Sequence, residues 1–330
     1  MAISVVLLWW TLHDVSLTEV WERVRGVRLL PFVSAIAAAT LTFPLRTVRW
    51  QYLLRLEGDT LPFKPLWHAT AIGFMATNLL PARAGEFARA YAARHMTEVR
   101  FTAAFASIAV ERLMDGITLV AFLAIATWSG GFASGTAVGS VTLGQIARVA
   151  GAFFTLVLVA SMIVVHWHAV AIRLIQTVTR RLLSESWAAR VMNIVEGLLA
   201  GLDSLRSVRR LAAVVFWSLI VWLTGAASFW FGFVAFGIDA PWSAALMLQS
   251  IIAFGVAVQF SPGFFGQYEA LTRVTLGLYG LGLGQAVSFA VGFHLGGFIP
   301  ITLLGLWSLS RAQMKMSDLS AHGDGEAGVG

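Results

Sequence analysis

Long apolar runs, separated by short polar stretches, dominate the hydrophobic pattern of this 330-residue chain. Several runs reach the roughly 20 residues that a helix needs to cross the hydrocarbon core of a bilayer. Because lipid offers the backbone no hydrogen-bond partners, each run is predicted to be a helix. The pattern thus predicts an all-α polytopic membrane protein with spans at residues 1–13, 29–54, 103–128, 145–167, 211–236 and 285–309.

Two further apolar regions, residues 65–100 and 242–281, are each interrupted by proline and glycine. Both interruptions follow the order amide, proline, glycine, carboxylate: Asn78, Pro81, Gly85 and Glu86 in the first, and Gln259, Pro262, Gly263, Gly266 and Glu269 in the second. We expect a helix to break inside the membrane at each interruption. Broken helices at corresponding positions in two halves are typical of a transporter's binding site.

Simpler interpretations of the second interruption stay open at this point. Pro262, Gly263 and Gly266 also fit an ordinary kink with close helix packing. The arms 242–260 and 264–281 could each span the membrane if they were tilted.

The charges in the loops predict how the chain is oriented. Residues 129–144 and 274–284 carry no charge, which suits the outer side, whereas 168–210 carry seven arginines against three acids, which suits the cytoplasm. With these sides fixed, the two interrupted regions enter the membrane from opposite faces and point toward each other. We therefore predict two inverted-topology repeats, each with a re-entrant-type hairpin, in the cytoplasmic membrane with both termini cytoplasmic.

Each half would contain a span, an amphipathic segment, a second span, a hairpin and a last span. The predicted boundaries are 1–128 for the first inverted repeat, 129–144 for an outer loop, 145–310 for the second inverted repeat with its cytoplasmic amphipathic segment 168–210, and 311–330 for a disordered cytoplasmic tail. Residues 13–28 form the first amphipathic segment, where Ser16 and Glu19 predict a capping box. Both amphipathic segments are expected to lie along the bilayer surface.

Composition supports the membrane assignment, because 12% of the residues are charged, against about 25% in soluble domains. The chain has no cysteine, which excludes disulfides and thiolate metal sites. Its positive charge comes from 21 Arg and 2 Lys. Loop arginines fit positive-inside anchoring, whereas arginines within spans fit bidentate recognition of phosphate. The sequence contains no Walker element, nucleophile elbow or zincin helix, so we expect no cofactor, no metal and no ATP-driven transport.

Charged residues at membrane depth cost about 2.5–3.5 kcal/mol each on insertion scales, so they usually pair or line a cavity. Ten of them stand in or beside the apolar regions: Arg46, Arg49, Arg83, Arg89, Arg112 and Arg273 against Glu86, Glu111, Asp115 and Glu269. If all ten converge, two positive charges remain, which an anionic phosphate headgroup would neutralise. We predict that the six arginines bind this headgroup together with Asn78 and Gln259, and that the four carboxylates balance the arginines or carry coupling protons.

Each of these roles has an alternative. Glu111 and Asp115 could serve only to neutralise arginines structurally, or could act as acid and base of a lipid-modifying enzyme. Arg46 and Arg49 could simply snorkel from the inner end of their span. His294 is predicted to be a hydrogen-bonded core residue and not a metal ligand.

Four ordered motifs resemble a known family. They are Arg46-Thr-Val-Arg49-Trp50, Asn78-Leu-Leu-Pro-Ala-Arg-Ala-Gly-Glu86 with Arg89, Glu111-Arg112-Leu-Met-Asp115, and Pro262-Gly-Phe-Phe-Gly-Gln-Tyr-Glu269. Over residues 29–310 the chain resembles the lysylphosphatidylglycerol synthase transmembrane (flippase-like, UPF0104-type) family. The resemblance implies a bacterial or archaeal inner-membrane protein that moves lipids or acts beside enzymes that modify them. Substrates in the family include polyprenyl-linked glycolipids and aminoacylated phospholipids.

The full synthases carry a soluble aminoacyl-transfer domain after the membrane region, whereas about 20 polar residues follow the last predicted span here. We therefore expect no enzyme activity from this chain. The expected function is translocation, or flipping, of an anionic, phosphate-bearing lipid or lipid-linked precursor across the cytoplasmic membrane, with membrane lipids and not nucleic acid as partners. The alternatives are an accessory subunit that presents lipid to a separate transferase and, less favoured, a membrane-embedded lipid-modifying enzyme.

Overall fold

A computed structural model of the chain describes residues 2–54, 61–81, 84–130 and 207–319, with scattered residues between 132 and 195. Its helices are α1 (Ala2–Leu12), α2 (Leu17–Arg25), α3 (Leu29–Leu53), α4 (Phe63–Leu79), α5 (Ala84–Met96), α6 (Phe101–Ser129), α7 (Val208–Ala235), α8 (Trp242–Gly255), α9 (Gln267–Leu278) and α10 (Leu283–Arg311). Two short strands, β1 (Ala137–Val138) and β2 (Val141–Thr142), pair antiparallel with Ala137 opposite Thr142. Apart from this small hairpin in the predicted outer loop, the described chain is helical, as predicted.

Three helices in the described part of the chain are long and apolar enough to cross a membrane: α3, α7 and α10, with 25, 28 and 29 residues. At about 1.5 Å per residue, each exceeds the roughly 30 Å of the hydrocarbon core. Their ends match the predicted spans to within a few residues. Helices α1 and α6 also coincide with predicted spans, and α6 carries three charged residues in its middle. The predicted span 145–167 lies largely outside the described residues.

The first interruption ends α4 at Leu79, and α5 begins at Ala84. Leu80 has an extended backbone, with φ −106° and ψ 149°, immediately before Pro81. The predicted helix break at Pro81 is therefore present.

Gly85 does not break the helix, which corrects the prediction for this residue. It lies in the first turn of α5, where an added Cβ would collide with the Thr77 side chain and the Gly73 carbonyl oxygen of α4. An added Cβ at Gly73 would in turn lie 2.6 Å from the Cβ of Arg89. The two glycines let α5 pack closely against α4 and so determine where Arg89 lies.

The second interruption is a true break, as predicted from Pro262, Gly263 and Gly266. Helix α8 ends at Gly255, a 3-10 turn covers Pro262–Phe264, and α9 begins at Gln267. Gly263 and Gly266 have φ values of 64° and 81°, which residues with a Cβ rarely adopt. At Gly266 a Cβ would also collide with the backbone of α1 at Ser4, so this glycine allows α1 to approach the break.

The two breaks contact each other. The Gln259 side-chain amide donates to the carbonyl oxygens of Thr77 and Leu80, at 2.9 and 3.2 Å, and so satisfies the C-terminal end of α4. Asn78 donates to the Thr302 hydroxyl of α10 at 3.0 Å. The tips of the two hairpins therefore meet, while their orientation relative to a bilayer stays a prediction.

Two details at the ends of the chain differ from expectation. Ser16 occupies the N-cap position of α2 but makes no capping hydrogen bond with its side chain, and the Glu19 side chain accepts from Arg23 at 3.0 Å. In the predicted disordered tail, Met314 and Leu319 are buried in a core cluster. Residues 312–319 thus pack against the helices, and residues from 320 onward lie outside the described part.

Candidate functional site

The buried charges meet where α3, α5, α6 and α7 come together. Helix α3 packs along α7, and α6 packs against α5 and α8. Arg46 and Arg49 lie one turn apart on α3, and Glu111 and Asp115 lie one turn apart on α6, so each pair shares a helix face. We call the assembled group the arginine–carboxylate cluster: Arg46, Arg49, Arg89, Arg112, Glu86, Glu111 and Asp115.

Glu111 lies within ion-pair distance of all four arginines of the cluster, with Arg46 the most distant at 3.8 Å, and 0% of its surface is exposed. Arg89 forms a bidentate pair with it, with Nη1–Oε1 at 2.9 Å and Nη2–Oε2 at 3.1 Å. Arg112 Nη2 donates to Oε1 at 2.8 Å, and Arg49 Nη2 lies 3.1 Å from the same oxygen. One carboxylate therefore connects α3, α5 and α6.

Asp115 makes an equally dense set of contacts. Arg49 Nη1 lies 2.5 Å from Oδ1, and Arg46 and Arg112 each lie 3.4 Å from Oδ2. The Trp222 indole of α7 donates to Oδ1 at 2.7 Å. Asp115 thus links α3 and α6 to α7.

Helix α7 contributes polar groups that sequence reasoning did not identify. Besides Trp222, the hydroxyl of Ser218 accepts from Arg49 Nη1 at 3.0 Å. Both residues lie in an apolar run whose pattern predicts only a transmembrane span. Trp222 is also 107 residues from Asp115 in the sequence. The only available signal was that Ser218 and Trp222 lie about one turn apart on a predicted helix.

Aromatic rings cover the guanidinium groups. Arg89 lies 3.9 Å from the ring centre of Trp50, whose indole donates to Ser107 at 2.8 Å. Arg46 lies 4.9 Å from the ring centre of Trp222 and 5.5 Å from that of Phe74. Cation–π contacts of this kind are worth about 0.5–2 kcal/mol, with the larger values in desolvated sites.

The cluster has a buried part and an exposed edge. Arg49, Arg89 and Asp115 are 0–3% exposed, whereas the side chains of Arg112 and Glu86 are 33% and 28% exposed and lie 3.7 Å apart. Four arginines face three carboxylates, so one positive charge is unbalanced among the described residues. Arg112 is therefore the most exposed arginine of the cluster.

Two of the ten predicted residues lie elsewhere, so full convergence was wrong. Arg273 donates to the Trp10 carbonyl oxygen, stacks on the Trp10 ring at 4.0 Å and lies 3.6 Å from Asp14. It attaches α9 to α1, because its position on α9 faces the N-terminal helix. Arg83 lies outside the described residues.

Glu269, the second residue outside the cluster, stabilises the second break. One oxygen accepts from the backbone N–H of Gly266 at 2.7 Å, and the other lies 2.6 Å from His294 Nδ1. His294 is therefore a hydrogen-bonded core residue, as predicted, although its partner 25 residues away was missed. Within the described residues, no group of three His, Asp or Glu side chains could hold a metal ion.

A cavity of about 310 Å³ lies beside the cluster, between α3, α4, α7, α8, α9 and α10. Arg46 of the cluster and Asn78 of the first interruption are in its wall, together with several aromatic rings. A separate groove of about 750 Å³ follows the other face of α3 and is lined mainly by apolar side chains, including Phe32, Ile36 and Trp67.

The fold and site define a polytopic helical membrane protein with an ion-paired arginine cluster buried among its helices. Residues 1–305 match the family model described as the lysylphosphatidylglycerol synthase TM region. Because the match covers most of the chain, the protein belongs to this family, which confirms the resemblance inferred from its motifs.

Two curated relatives are similar to the chain. Glycosyltransferase AglD of Haloferax volcanii is 27% identical over 72% of this chain, but that match covers 42% of the relative, so the chain spans less than half its length. A UPF0104 membrane protein of Methanothermobacter thermautotrophicus is 25% identical over 79% of this chain and 78% of its own. No solved structure matches the chain.

Proposed function

We propose that the protein translocates an anionic, phosphate-bearing lipid across the membrane. The observation that carries this proposal is the arginine–carboxylate cluster, in which four guanidinium groups face three carboxylates at the level of the apolar helices. A planar guanidinium matches the geometry of phosphate as well as that of carboxylate. An incoming phosphate can therefore take the place of a carboxylate at the accessible arginines.

The arginines divide into two roles. Arg49 and Arg89 are held between Glu111 and Asp115 and are 0% and 2% exposed, so they keep the site assembled. Arg112 is one-third exposed and Arg46 reaches the cavity wall, so these two bind the phosphate. The carboxylates balance the cluster when the lipid is absent, which avoids leaving bare cations in a low-dielectric site.

The dimensions of the hairpins support the inverted-repeat arrangement. Helices α4, α5, α8 and α9 have 17, 13, 14 and 12 residues, fewer than the roughly 20 needed to span. Two fully spanning hairpins of opposite orientation would place their tips about 30 Å apart. The 2.9 Å contact between Gln259 and Thr77 instead favours two re-entrant hairpins that meet near the midplane. From the charges of the loops we further propose that both termini are cytoplasmic.

This topology can be tested by labelling, because the chain has no cysteine. We expect Ala84→Cys to resist a membrane-impermeant thiol reagent added outside, and Phe265→Cys to resist the same reagent added in the cytoplasm. Labelling of either tip from its opposite face would show that the hairpin spans the membrane.

The apolar groove along α3 offers a place for the lipid tail. Its lining by Phe32, Ile36 and Trp67 suits acyl or prenyl chains, which remain in the bilayer while the polar headgroup moves between the hairpins. Most of the free-energy cost of crossing the hydrocarbon core therefore comes from the charged headgroup, and the buried cluster lowers this cost.

A second candidate is an accessory subunit that presents lipid to a transferase. The comparison with glycosyltransferase AglD favours it, because the region similar to this chain makes up 42% of that protein. In that case the purified protein alone would bind lipid without moving it, and translocation or transfer would require the partner enzyme.

Reconstitution into liposomes tests the leading proposal. Lipids with a fluorescent label on one acyl chain, bearing phosphatidylglycerol or phosphatidylcholine headgroups, are followed by the fraction that a membrane-impermeant quencher reaches. We expect Arg112→Gln and Arg46→Gln to slow transfer of the anionic lipid at least tenfold. Arg209→Gln is the matched control, because this exposed arginine lies at the start of α7 outside the cluster. Unchanged transfer in both cluster variants would reject the proposal.

A further inference from the structure

A buried pair of titratable side chains, Glu269 of α9 and His294 of α10, lies at the second break. Glu269 Oε1 and His294 Nδ1 are 2.6 Å apart, and the two side chains are 3% and 10% exposed. The other oxygen of Glu269 accepts from the Gly266 backbone N–H at 2.7 Å. His294 also lines the cavity of about 310 Å³ whose wall includes Arg46. The pair and the arginine–carboxylate cluster therefore adjoin the same cavity.

The pair differs from the arginine–carboxylate cluster in the kind of cation that faces the carboxylate. Glu111 and Asp115 are paired with guanidinium groups, which keep their charge in proteins. Within the described residues, no arginine lies within ion-pair distance of Glu269, and its partner is the imidazole of His294. The charge of an imidazole ordinarily changes between about pH 5 and pH 8. The positive charge beside Glu269 thus depends on one proton.

Aromatic packing fixes the His294 ring. The Tyr268 ring stacks on it with ring centres 4.2 Å apart, and the Phe265 ring lies 4.9 Å away. Because a carboxylate accepts hydrogen bonds, we assign the ring hydrogen to Nδ1, which faces Glu269. Nε2, on the other edge of the ring, makes no hydrogen bond within the described part of the chain. Nε2 is therefore the nitrogen that can take up a proton while Nδ1 keeps its contact with Glu269.

The balance of charges around the cavity shows why this proton matters. Among the described residues, the cluster has four arginines and three carboxylates, and Glu269 is a fourth carboxylate. The empty site is then neutral overall while His294 is uncharged. An anionic phosphate adds one negative charge, and an uncompensated charge in a low-dielectric site is costly. One proton on His294 restores neutrality.

Other titratable or charged groups near the pair are paired, distant or neutral at this pH. The elements packed against α9 and α10 contribute six of them: Tyr268 and Arg273 of α9, Arg46 of α3, Glu19 of α2, His68 of α4 and Asp14 after α1. Arg273 is paired with Asp14 at 3.6 Å. Arg46 is paired with Asp115 at 3.4 Å.

Glu19 and His68 contact α10 far from the pair. Glu19 meets it at Gly284 and His68 at Ser308, about 15 and 21 Å along the helix from His294. A phenol such as that of Tyr268 is neutral near pH 7, and α8 contains no charged residue. Among the described groups at the cavity, His294 is thus the one whose charge can change near neutral pH.

We propose that the protein couples binding of the anionic lipid to uptake of one proton at His294, which Glu269 holds in position. The proton comes from water when the phosphate enters the cavity beside Arg46, and it returns to water when the lipid leaves. Proton and anion then favour each other's binding by the same factor. Because the two together carry no net charge, a pH difference and not the membrane voltage biases the direction of transfer. This inference rests on the proposed function, because it assumes that the anionic lipid enters this cavity.

Proton uptake by the wild type is the first test. Phosphatidylglycerol in detergent is added to the full-length protein in weakly buffered solution near pH 7, and a pH-indicator dye reports the protons taken up. The phosphodiester of this lipid stays ionised near pH 7, so the lipid itself takes up none. We expect uptake of about half to one proton per lipid bound. Phosphatidylcholine should cause none, because its choline already balances its phosphate.

The pH dependence of binding identifies the residue. Wild-type affinity for phosphatidylglycerol, measured by tryptophan fluorescence, should weaken about three- to tenfold per pH unit between about pH 6.5 and pH 8, since His294 then loses its proton. His294→Asn keeps an amide N–H near the position of Nδ1 but cannot gain a proton. Its affinity should therefore change less than about twofold per pH unit.

Two further variants complete this test. Glu269→Gln removes one negative charge, so the empty site has a positive surplus that the phosphate neutralises without a proton; its binding should be independent of pH. His68→Asn is the matched control, because this buried histidine contacts Ser308 at 3.1 Å and is not in the wall of the cavity. It should keep the pH dependence of the wild type. Melting temperatures at both ends of the pH range establish that each variant is folded.

The outcomes separate this inference from the proposed function. If phosphatidylglycerol binds to the wild type without proton uptake, or if His294→Asn keeps the full pH dependence, proton coupling is wrong while translocation can still hold. If His294→Asn does not fold, proton uptake by the wild type and the pH dependence of Glu269→Gln decide instead. If no anionic lipid binds to folded protein at any pH, both proposals fail together.

Discussion

Replacing Glu111 with glutamine removes the carboxylate charge on which four arginines converge. The Glu111 side chain is 0% exposed, accepts two hydrogen bonds from Arg89 at 2.9 and 3.1 Å, and lies 2.8 Å from Arg112 and 3.1 Å from Arg49. The amide keeps the shape of the side chain but offers one acceptor oxygen and no charge. Four arginines would then face two carboxylates, and the guanidiniums of Arg49 and Arg89 have no route to solvent.

Removing one partner of a buried ion pair typically costs about 3–5 kcal/mol. With an unfolding entropy of about 2.1 cal/mol/K per residue, a chain of 330 residues loses about 1.4 °C in melting temperature per kcal/mol, so the Glu111→Gln variant should melt about 4–7 °C below the wild type. The melting temperature is measured in detergent by intrinsic tryptophan fluorescence, with residual monodisperse protein on size-exclusion chromatography as a second readout.

Glu86→Gln is the matched control for this experiment. Glu86 is 28% exposed and its carboxylate lies 3.7 Å from Arg112, so losing its charge should cost less than about 1 kcal/mol. A Glu111→Gln variant that melts no lower than Glu86→Gln would refute the view that the buried carboxylates hold the cluster together.

Two further predictions concern residues outside the buried pairs. Arg273→Gln should leave the rate of anionic lipid transfer within about twofold of wild type, because Arg273 binds Trp10 and Asp14 of the N-terminal region. The rate is measured in the liposome transfer assay. A tenfold loss would show that Arg273 lies in the lipid path. Gly85→Ala should lower stability by about 1–3 kcal/mol, because its Cβ would force α5 away from α4. Gly277→Ala, whose Cβ meets open space, should be neutral or stabilising in the same thermal unfolding measurement.

The sequence could predict the helices and breaks because their causes are local. Apolar length determines the spans at α3, α7 and α10, and proline with glycine determines the two interruptions. The pairing of α3 and α6 charges was also accessible, since Arg46 with Arg49 and Glu111 with Asp115 each recur within one helical turn. Because the arginine pair and the carboxylate pair have opposite charges and both lie at membrane depth, they are expected to contact each other.

Contacts between distant segments could not be predicted from the same patterns. Trp222 belongs to the cluster because α7 packs along α3, and its indole gives no charge signal in an apolar run. Arg273, like Arg112, is an arginine in or beside an apolar region of the sequence. The face of α9 on which Arg273 lies is, however, covered by α1. Glu269 likewise finds His294 through helix packing. Which helix covers which face is a tertiary property that residue spacing does not encode.

The ratio of anionic to zwitterionic lipid transfer tests the central claim most directly. In one proteoliposome preparation, the rates for phosphatidylglycerol and phosphatidylcholine with identical labelled chains are compared between wild type and Arg112→Gln. Phosphatidylglycerol has a net negative headgroup charge, whereas phosphatidylcholine is neutral overall. If Arg112, the accessible arginine of the cluster, binds the anionic headgroup, the wild type should transfer phosphatidylglycerol faster. Arg112→Gln should then lose at least tenfold of that preference. Equal rates for both lipids in the wild type, or a preference that Arg112→Gln retains, would contradict the proposal that the cluster is the headgroup site.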